Sequence, residues 1–162
     1  MAEKIFLVSG ATDGIGRVSA LKLAQMGGRV ILVGRNAAKG ERVIGDIKRA
    51  TGNAEIEFEL ADLSSQSDIR AVAERLNNRL EHLDALVNNV GAWFNRRALS
   101  VDNIEMTFAL NHLGYFLLTG LLLDKLKCAP SARIVNVSSM AHKGPQVDLD
   151  DPQGEAGYSG WR

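Results

Sequence analysis

Short apolar runs alternate along this chain with stretches of helical periodicity. Ile5–Val8, Val30–Val33, Leu86–Val87 and Ile134–Val137 are short and nearly continuous in apolar character, as in strands buried on both faces. Between the first two runs, Ile15, Val18, Leu21 and Met26 recur at helical spacing. Val43, Ile44, Ile47 and Ala50 form a second stripe, closed by Thr51-Gly52-Asn53. Ile69, Val72, Leu76 and Leu80 form a third, and Ser65-Gln66-Ser67-Asp68 has the form of a capping box at its start. A longer helix is predicted from about Asp102 to Lys127, with Pro130 barring its continuation.

Glu55-Ile56-Glu57-Phe58-Glu59-Leu60 alternates strictly, the pattern of a strand with one wet face at a sheet edge. Strands alternating with helices imply right-handed βαβ units and a mostly parallel sheet. The fold class expected is therefore α/β, a Rossmann-type doubly wound parallel sheet in the order 3-2-1-4-5. That order puts the third strand, with its glutamates, at an edge. Residues 140–162 hold Gly144, Pro145, Pro152, Gly154, Gly157 and Gly160 and no apolar run. No sixth strand is predicted there, so the sheet is expected to be truncated after the fifth, leaving an open edge that invites pairing into a homo-oligomer.

Composition narrows the class without changing this picture. The 162 residues suit one domain, and 46% apolar against 23% charged residues excludes disordered and low-complexity classes. Nineteen basic residues balance nineteen acidic ones, which argues against a nucleic-acid partner. Cys128 stands alone and the histidines (His82, His112, His142) lie far apart, so neither an internal disulfide nor a metal site is expected. The longest apolar stretch, Leu113 to Leu123, falls short of the roughly 20 residues of a membrane span. Nor does an export signal open the chain. A cytoplasmic protein is expected.

The first strand runs into Ser9-Gly10-Ala11-Thr12-Asp13-Gly14-Ile15-Gly16, where a helix opens. Glycines there let a pyrophosphate approach the helix N-terminus, where free N–H groups and the helix dipole favour anions. A dinucleotide site declares its cofactor at the end of the second strand, where an acid favours NAD. This chain has Val33-Gly34-Arg35-Asn36, with an arginine and no acid. A guanidinium pairs bidentately with a 2′-phosphate, so NADP is expected over NAD, although Asp13 in the glycine loop opposes it.

With these residues in place, the chain resembles the classical short-chain dehydrogenase/reductase family over essentially all of residues 4–140. The resemblance rests on Gly10-x-x-x-Gly14-x-Gly16, Asp62-Leu63, Asn88-Asn89-Val90-Gly91, Asn111 in the long helix and Val137-Ser138-Ser139, in the family's order. Arg133 to His142 and Gly157 to Arg162 resemble the retinol-dehydrogenase-like branch. The resemblance implies that Thr12, Asp13 and Ile15 join the three glycines, Asn36 and Val90 at the cofactor. It also implies that Asp62 and Leu63 hold the adenine, and that Asn88 and Gly91 keep the sheet open to the cofactor. Ser139 is then the serine that polarises a carbonyl or alcohol, and Asn111 anchors a water for proton relay. A buried amide on a helix rich in Phe and Leu also needs partners on chemical grounds.

The family's base is a tyrosine in a Tyr-x-x-x-Lys motif, whose lysine lowers the phenol's pKa from about 10. Tyr158-Ser159-Gly160-Trp161-Arg162 imitates the spacing with arginine for lysine, but its glycines mark it as loop. The motif is expected to lie beyond residue 162, with residues 1–162 one NAD(P)-binding domain whose C-terminal part is missing. The function expected is NADP-dependent hydride transfer on an alcohol/carbonyl pair, with a lipophilic small molecule such as a retinoid or steroid as substrate. The alternative is a non-catalytic nucleotide-binding module or an inactive truncated product.

Overall fold

The computed structural model of the chain describes residues 4–143 and 148–160. Its sheet contains β1 (Ile5–Ser9), β2 (Arg29–Gly34), β3 (Ile56–Leu60), β4 (Ala85–Asn88) and β5 (Arg133–Asn136). All pairs are parallel and the order is β3-β2-β1-β4-β5, as the alternation of runs predicts. The crossovers are α1 (Gly14–Gln25), α2 (Ala37–Thr51) and α3 (Gln66–Arg79). Between β4 and β5 come α4 (Met106–Phe108), a π-helical turn (Ala109–Leu113) and α5 (Gly114–Cys128).

Side-chain alternation along the strands builds two cores. Ile5, Leu7, Ile31 and Val33 point to one face of the sheet, where Ile69, Val72 and Leu76 of α3 and Leu118, Leu122 and Leu126 of α5 cover them. Phe6, Val8, Val30 and Leu32 point to the other face, against Ala20 and Ala24 of α1 and Val43 and Ile47 of α2. Central β1 and β2 are thus buried on both faces, which is why they read as unbroken apolar runs. The predicted cap of α3 forms, with Asp68 N donating to Ser65 Oγ at 3.3 Å. Gly52 ends α2 in the left-handed conformation (φ +70°).

Several expectations change. In α1 the buried residues are Gly16, Ala20 and Ala24, while Ile15, Val18 and Met26 face outward. Small residues let this helix lie close to the glycine loop, so Ile15 and Val18 turn away and Leu21 and Leu23 are only partly buried. The long helix begins at Met106 rather than Asp102. Residues 99–105 instead form a loop closed by a Leu99–Glu105 bridge, and the buried Glu105 carboxylate accepts from Thr107 N and Phe108 N. Met106–Cys128 also meets the length and composition of a membrane span, with mean hydropathy 1.4 over its most apolar window. Leu118, Leu122 and Leu126 of that helix are nevertheless buried against α3 and the sheet. Among the described residues β5 pairs on one side only, with β4, as expected, but its Ile134 and Val135 are exposed rather than buried as their apolar run predicts.

The glutamates of β3 are half-buried under arginines rather than fully wet. Glu57 and Glu59 lie on the α3 side of the edge strand, where Arg79 bridges both carboxylates. Arg29 Nε donates to Glu57 at 2.6 Å, and Arg75 Nε donates to Glu59 at 2.9 Å. Arg75 and Arg79 stand one helical turn apart, so one face of α3 matches the two-residue repeat of the strand. Burial alone would raise the Glu57 carboxyl, but the Arg29 and Arg79 guanidinium groups outweigh it and hold it below the usual carboxylate range.

Because the folded value is the lower one, this contribution to stability is present above the ordinary carboxylate pKa of about 4.3. It is lost as pH falls through the folded value. Glu57→Gln should cost about 1 kcal/mol at neutral pH, near the top of the range for solvent-accessible ion pairs. The variant's deficit should shrink on acidification below about pH 4. Urea unfolding at pH 7 and pH 3 checks this, and a deficit that grows in acid would contradict it.

Candidate functional site

The site forms where the sheet order reverses, between the C-terminal ends of β1 and β4, the crevice in which open α/β sheets bind ligands. Gly10 leaves β1 with φ +64°, in the left-handed region. A Cβ there would fall 2.8 Å from Val90 Cα, and one on Gly16 would fall 2.4 Å from Asn89 Nδ2 and 2.5 Å from Gly10 O. Backbone approach this close admits only hydrogen at both positions. Gly14 (φ +49°) is different, since a Cβ there would meet nothing within 4 Å. It opens α1 toward open space.

Two residues outside the expected set hold this approach together. The fully buried Ser9 hydroxyl accepts from Asn89 N at 2.9 Å and Val90 N at 3.1 Å. Asn89 Nδ2 donates to Ser9 O at 3.0 Å and reaches Gly10 O at 3.4 Å. Beneath them Asn88 Nδ2 donates to Thr119 Oγ1 and Asn136 Oδ1, which ties β4 to α5 and β5. Among the described residues Asn88 Oδ1 has no partner although it is buried, leaving an acceptor that a water would satisfy.

The other residues expected at the cofactor follow the C-terminal edges of β1, β2 and β3. Asp13 caps α1, accepting from Gly14 N at 2.8 Å, and Lys39 Nζ approaches its carboxylate at 3.8 Å. Thr12 lies against the end of β2 at Gly34. Arg35 follows, exposed and without a hydrogen bond or ion pair to any described residue. Asn36 has a structural duty as well, capping α2 by accepting from Lys39 N at 2.9 Å. Asp62 Oδ1 accepts from Ser64 N and Ser64 Oγ, and Leu63 turns into the core against the start of α5.

A cavity of about 520 Å³ opens beside this cradle. It is lined by Val90, Gly91, Asn111, Tyr115, Ser138 and Ser139 among others, so the structure brings the expected catalytic residues to the turn after β4. Asn111 sits in the π-helical turn, where the widened winding turns its amide toward the β4 loop. Nδ2 donates to Ala92 O at 2.9 Å and Oδ1 accepts from Ala92 N at 3.0 Å. The amide therefore clamps the backbone next to Gly91. Ser139 Oγ accepts from Ala141 N at 3.2 Å, and Ser138 and Ser139 share the wall.

Tyr115 is a further cavity residue that the sequence analysis does not single out. Its hydroxyl donates to Val90 O at 2.8 Å, and burial pushes its pKa up, away from what proton transfer near pH 7 requires. Its role is to hold the turn. Tyr158 lies in a loop, as its glycines predict, and its hydroxyl donates to Phe94 O at 2.9 Å. Trp161 and Arg162 lie outside the described residues, as do Gly144 and Pro145.

The short chain dehydrogenase family profile matches residues 4–149. The chain belongs to that family. It is 43% identical to human retinol dehydrogenase 11 over 156 residues, which is 96% of this chain and 49% of the relative. It is 40% identical to human polyprenol dehydrogenase over 161 residues, again 49% of the relative. The chain thus spans about half the length of the curated relatives it matches. Among solved structures, an uncharacterised protein of Mycobacterium paratuberculosis superposes with TM-score 0.84 at 35% identity, covering 99% of this chain and 55% of that one. A short chain dehydrogenase of Escherichia coli CFT073 complexed with NADPH gives 0.73 at 28% identity, covering 98% and 62%.

The closeness of the two loops makes a direct prediction. Gly16→Val should destabilise the chain by about 1–3 kcal/mol through overpacking against Asn89 and Gly10. Urea midpoints check it, and an unchanged midpoint would mean that the loops are not held this tightly.

Proposed function

We propose that the protein this chain belongs to is an NADP(H)-dependent oxidoreductase acting on an alcohol/carbonyl pair of a lipophilic small molecule. The observation that carries the cofactor choice is Arg35, a guanidinium at the end of β2 unpaired among the described residues, with no acid at Gly34 or Asn36. Lys39 supports it by partly neutralising Asp13 on the same rim. The glycine cradle suits the cofactor, because Gly10 and Gly16 bring backbone together and Gly14 leaves the start of α1 open to an anion. Arg35 would take the 2′-phosphate and Asp62 the adenine.

Bound there, NADP(H) supplies or accepts the hydride. The chain's own residues orient and polarise. Asn111 and Tyr115 fix the backbone of Val90 to Ala92 beside the cavity, and the Ser139 hydroxyl, on the cavity wall, is available to hydrogen-bond a substrate oxygen. The lipophilic substrate class rests on kinship with proteins named for retinol and polyprenol dehydrogenation. The lone Cys128 favours a reducing, cytoplasmic setting.

Arg35→Ala should weaken NADPH by the roughly 1.5–3 kcal/mol of a charge-assisted hydrogen bond while leaving NADH nearly unchanged. Titration calorimetry with both cofactors checks this, and equal losses would contradict the assignment. The second reading, a non-catalytic nucleotide-binding module, is favoured for these 162 residues taken alone. The Tyr115 hydroxyl is committed to Val90 O with its pKa pushed up by burial, and the Tyr158 hydroxyl is committed to Phe94 O. These residues should bind NADPH without reducing a carbonyl. Turnover of NADPH absorbance that Tyr158→Phe abolishes would contradict this.

A further inference from the structure

The stretch Asp148–Gly160 takes no part in the cofactor cradle, yet it is fastened onto the loop that follows β4. Its own turn is built by Asp151, whose carboxylate accepts from Glu155 N at 2.7 Å and Ala156 N at 3.0 Å, and by Gly154 at φ +62°. Arg97 Nε donates to Gln153 O at 2.9 Å, and Gln153 Oε1 accepts from Glu105 N at 3.0 Å. The Tyr158 hydroxyl donates to Phe94 O and lies 3.3 Å from Thr107 Oγ1.

These anchors bear on the cavity itself. Phe94 and Thr107, which Tyr158 holds, both line it, as does Gly160. A Cβ on Gly160 would fall 2.7 Å from Phe94 O and 3.2 Å from Trp93 Nε1, so the bare backbone is seated directly on that wall. None of the described residues lining the cavity is charged, and Ala92, Trp93, Phe94 and Ala141 give it an apolar surface.

We propose that Asp148–Gly160 is the selectivity wall of this cavity, with Tyr158 the positioning residue that sets Phe94 and Thr107, and with the bare Gly160 backbone seating Phe94 and Trp93 so that the cavity admits an uncharged alcohol or carbonyl compound on an apolar chain. The inference rests on reading the cavity as the substrate site. It adds which residues decide what enters.

The test uses the 162-residue chain carrying Trp161→Phe, so that Trp93 is the sole tryptophan. Its emission is titrated with octan-1-ol and with propan-1-ol, and NADPH affinity is measured separately by calorimetry. Octan-1-ol should bind more tightly than propan-1-ol. Tyr158→Phe should weaken octan-1-ol by about tenfold, the equivalent of one hydrogen bond, and lower the octanol-to-propanol ratio while NADPH stays within about twofold. Gly160→Val should exclude octan-1-ol and spare NADPH. An unchanged octanol-to-propanol ratio in both variants overturns the proposal, and so does a parallel loss of both alcohols and NADPH, which marks Tyr158 as merely structural. If the unmodified wall binds NADPH but no octan-1-ol, the wall fails and the cofactor reading stands. If octan-1-ol responds as stated but NADPH does not bind, the cofactor reading fails and the wall stands.

Discussion

The rest of the site depends on how closely the glycine loop approaches the turn after β4. Gly10 and Gly16 leave no space for side chains there, and Ser9 and Asn89 convert the proximity into hydrogen bonds between segments about eighty residues apart. That contact fixes the start of α1 relative to the turn Asn89–Gly91. It also explains why α1 buries only Gly16, Ala20 and Ala24, since larger side chains would hold the helix away from the sheet. Asn111 and Tyr115 then pin the far side of the same turn through Ala92 and Val90. One backbone corner thus joins the anion-binding end of a helix to the cavity where an alcohol or carbonyl would lie.

Much of this was legible in the sequence because it depends on local pattern. Continuous apolar runs mark β1 and β2, alternation marks β3 as an edge, and the glycine spacing marks the turn that opens α1. What escaped is what arises only when distant segments meet. Ser9 looks like an ordinary strand end until Asn89 is beside it. Tyr115 sits among Phe and Leu residues and shows no sign of function before its hydroxyl meets Val90 O. The glutamates of β3 suggest solvent because alternation reports polarity and not partners, and the arginines that cover them come from a helix some twenty residues later. The strap Asp148–Gly160 has no periodicity at all, so its seat on Phe94 and Thr107 had no signal to carry it.

The two ends of the site also differ in how they are held. The cradle is held at the sheet's edge by glycine backbone packing and by the Ser9 and Asn89 side chains, whereas the cavity wall depends on bonds from a loop. On the proposed reading, cofactor binding is tied to the fold, while the choice of substrate rests on a loop segment. This separation fits a family whose members share a cofactor cradle and carry names for different alcohols.

The most direct test of the cradle is amide hydrogen exchange of the 162-residue chain with and without saturating NADPH. Exchange should slow together at residues 12–17, 36–39 and 88–92, three segments distant in sequence that the structure places on one rim. On the proposed reading that Arg35 takes the 2′-phosphate, NADH should protect the first and third but leave 36–39 little changed. Protection confined to any one of these segments, or equal protection of 36–39 by both cofactors, would contradict the account.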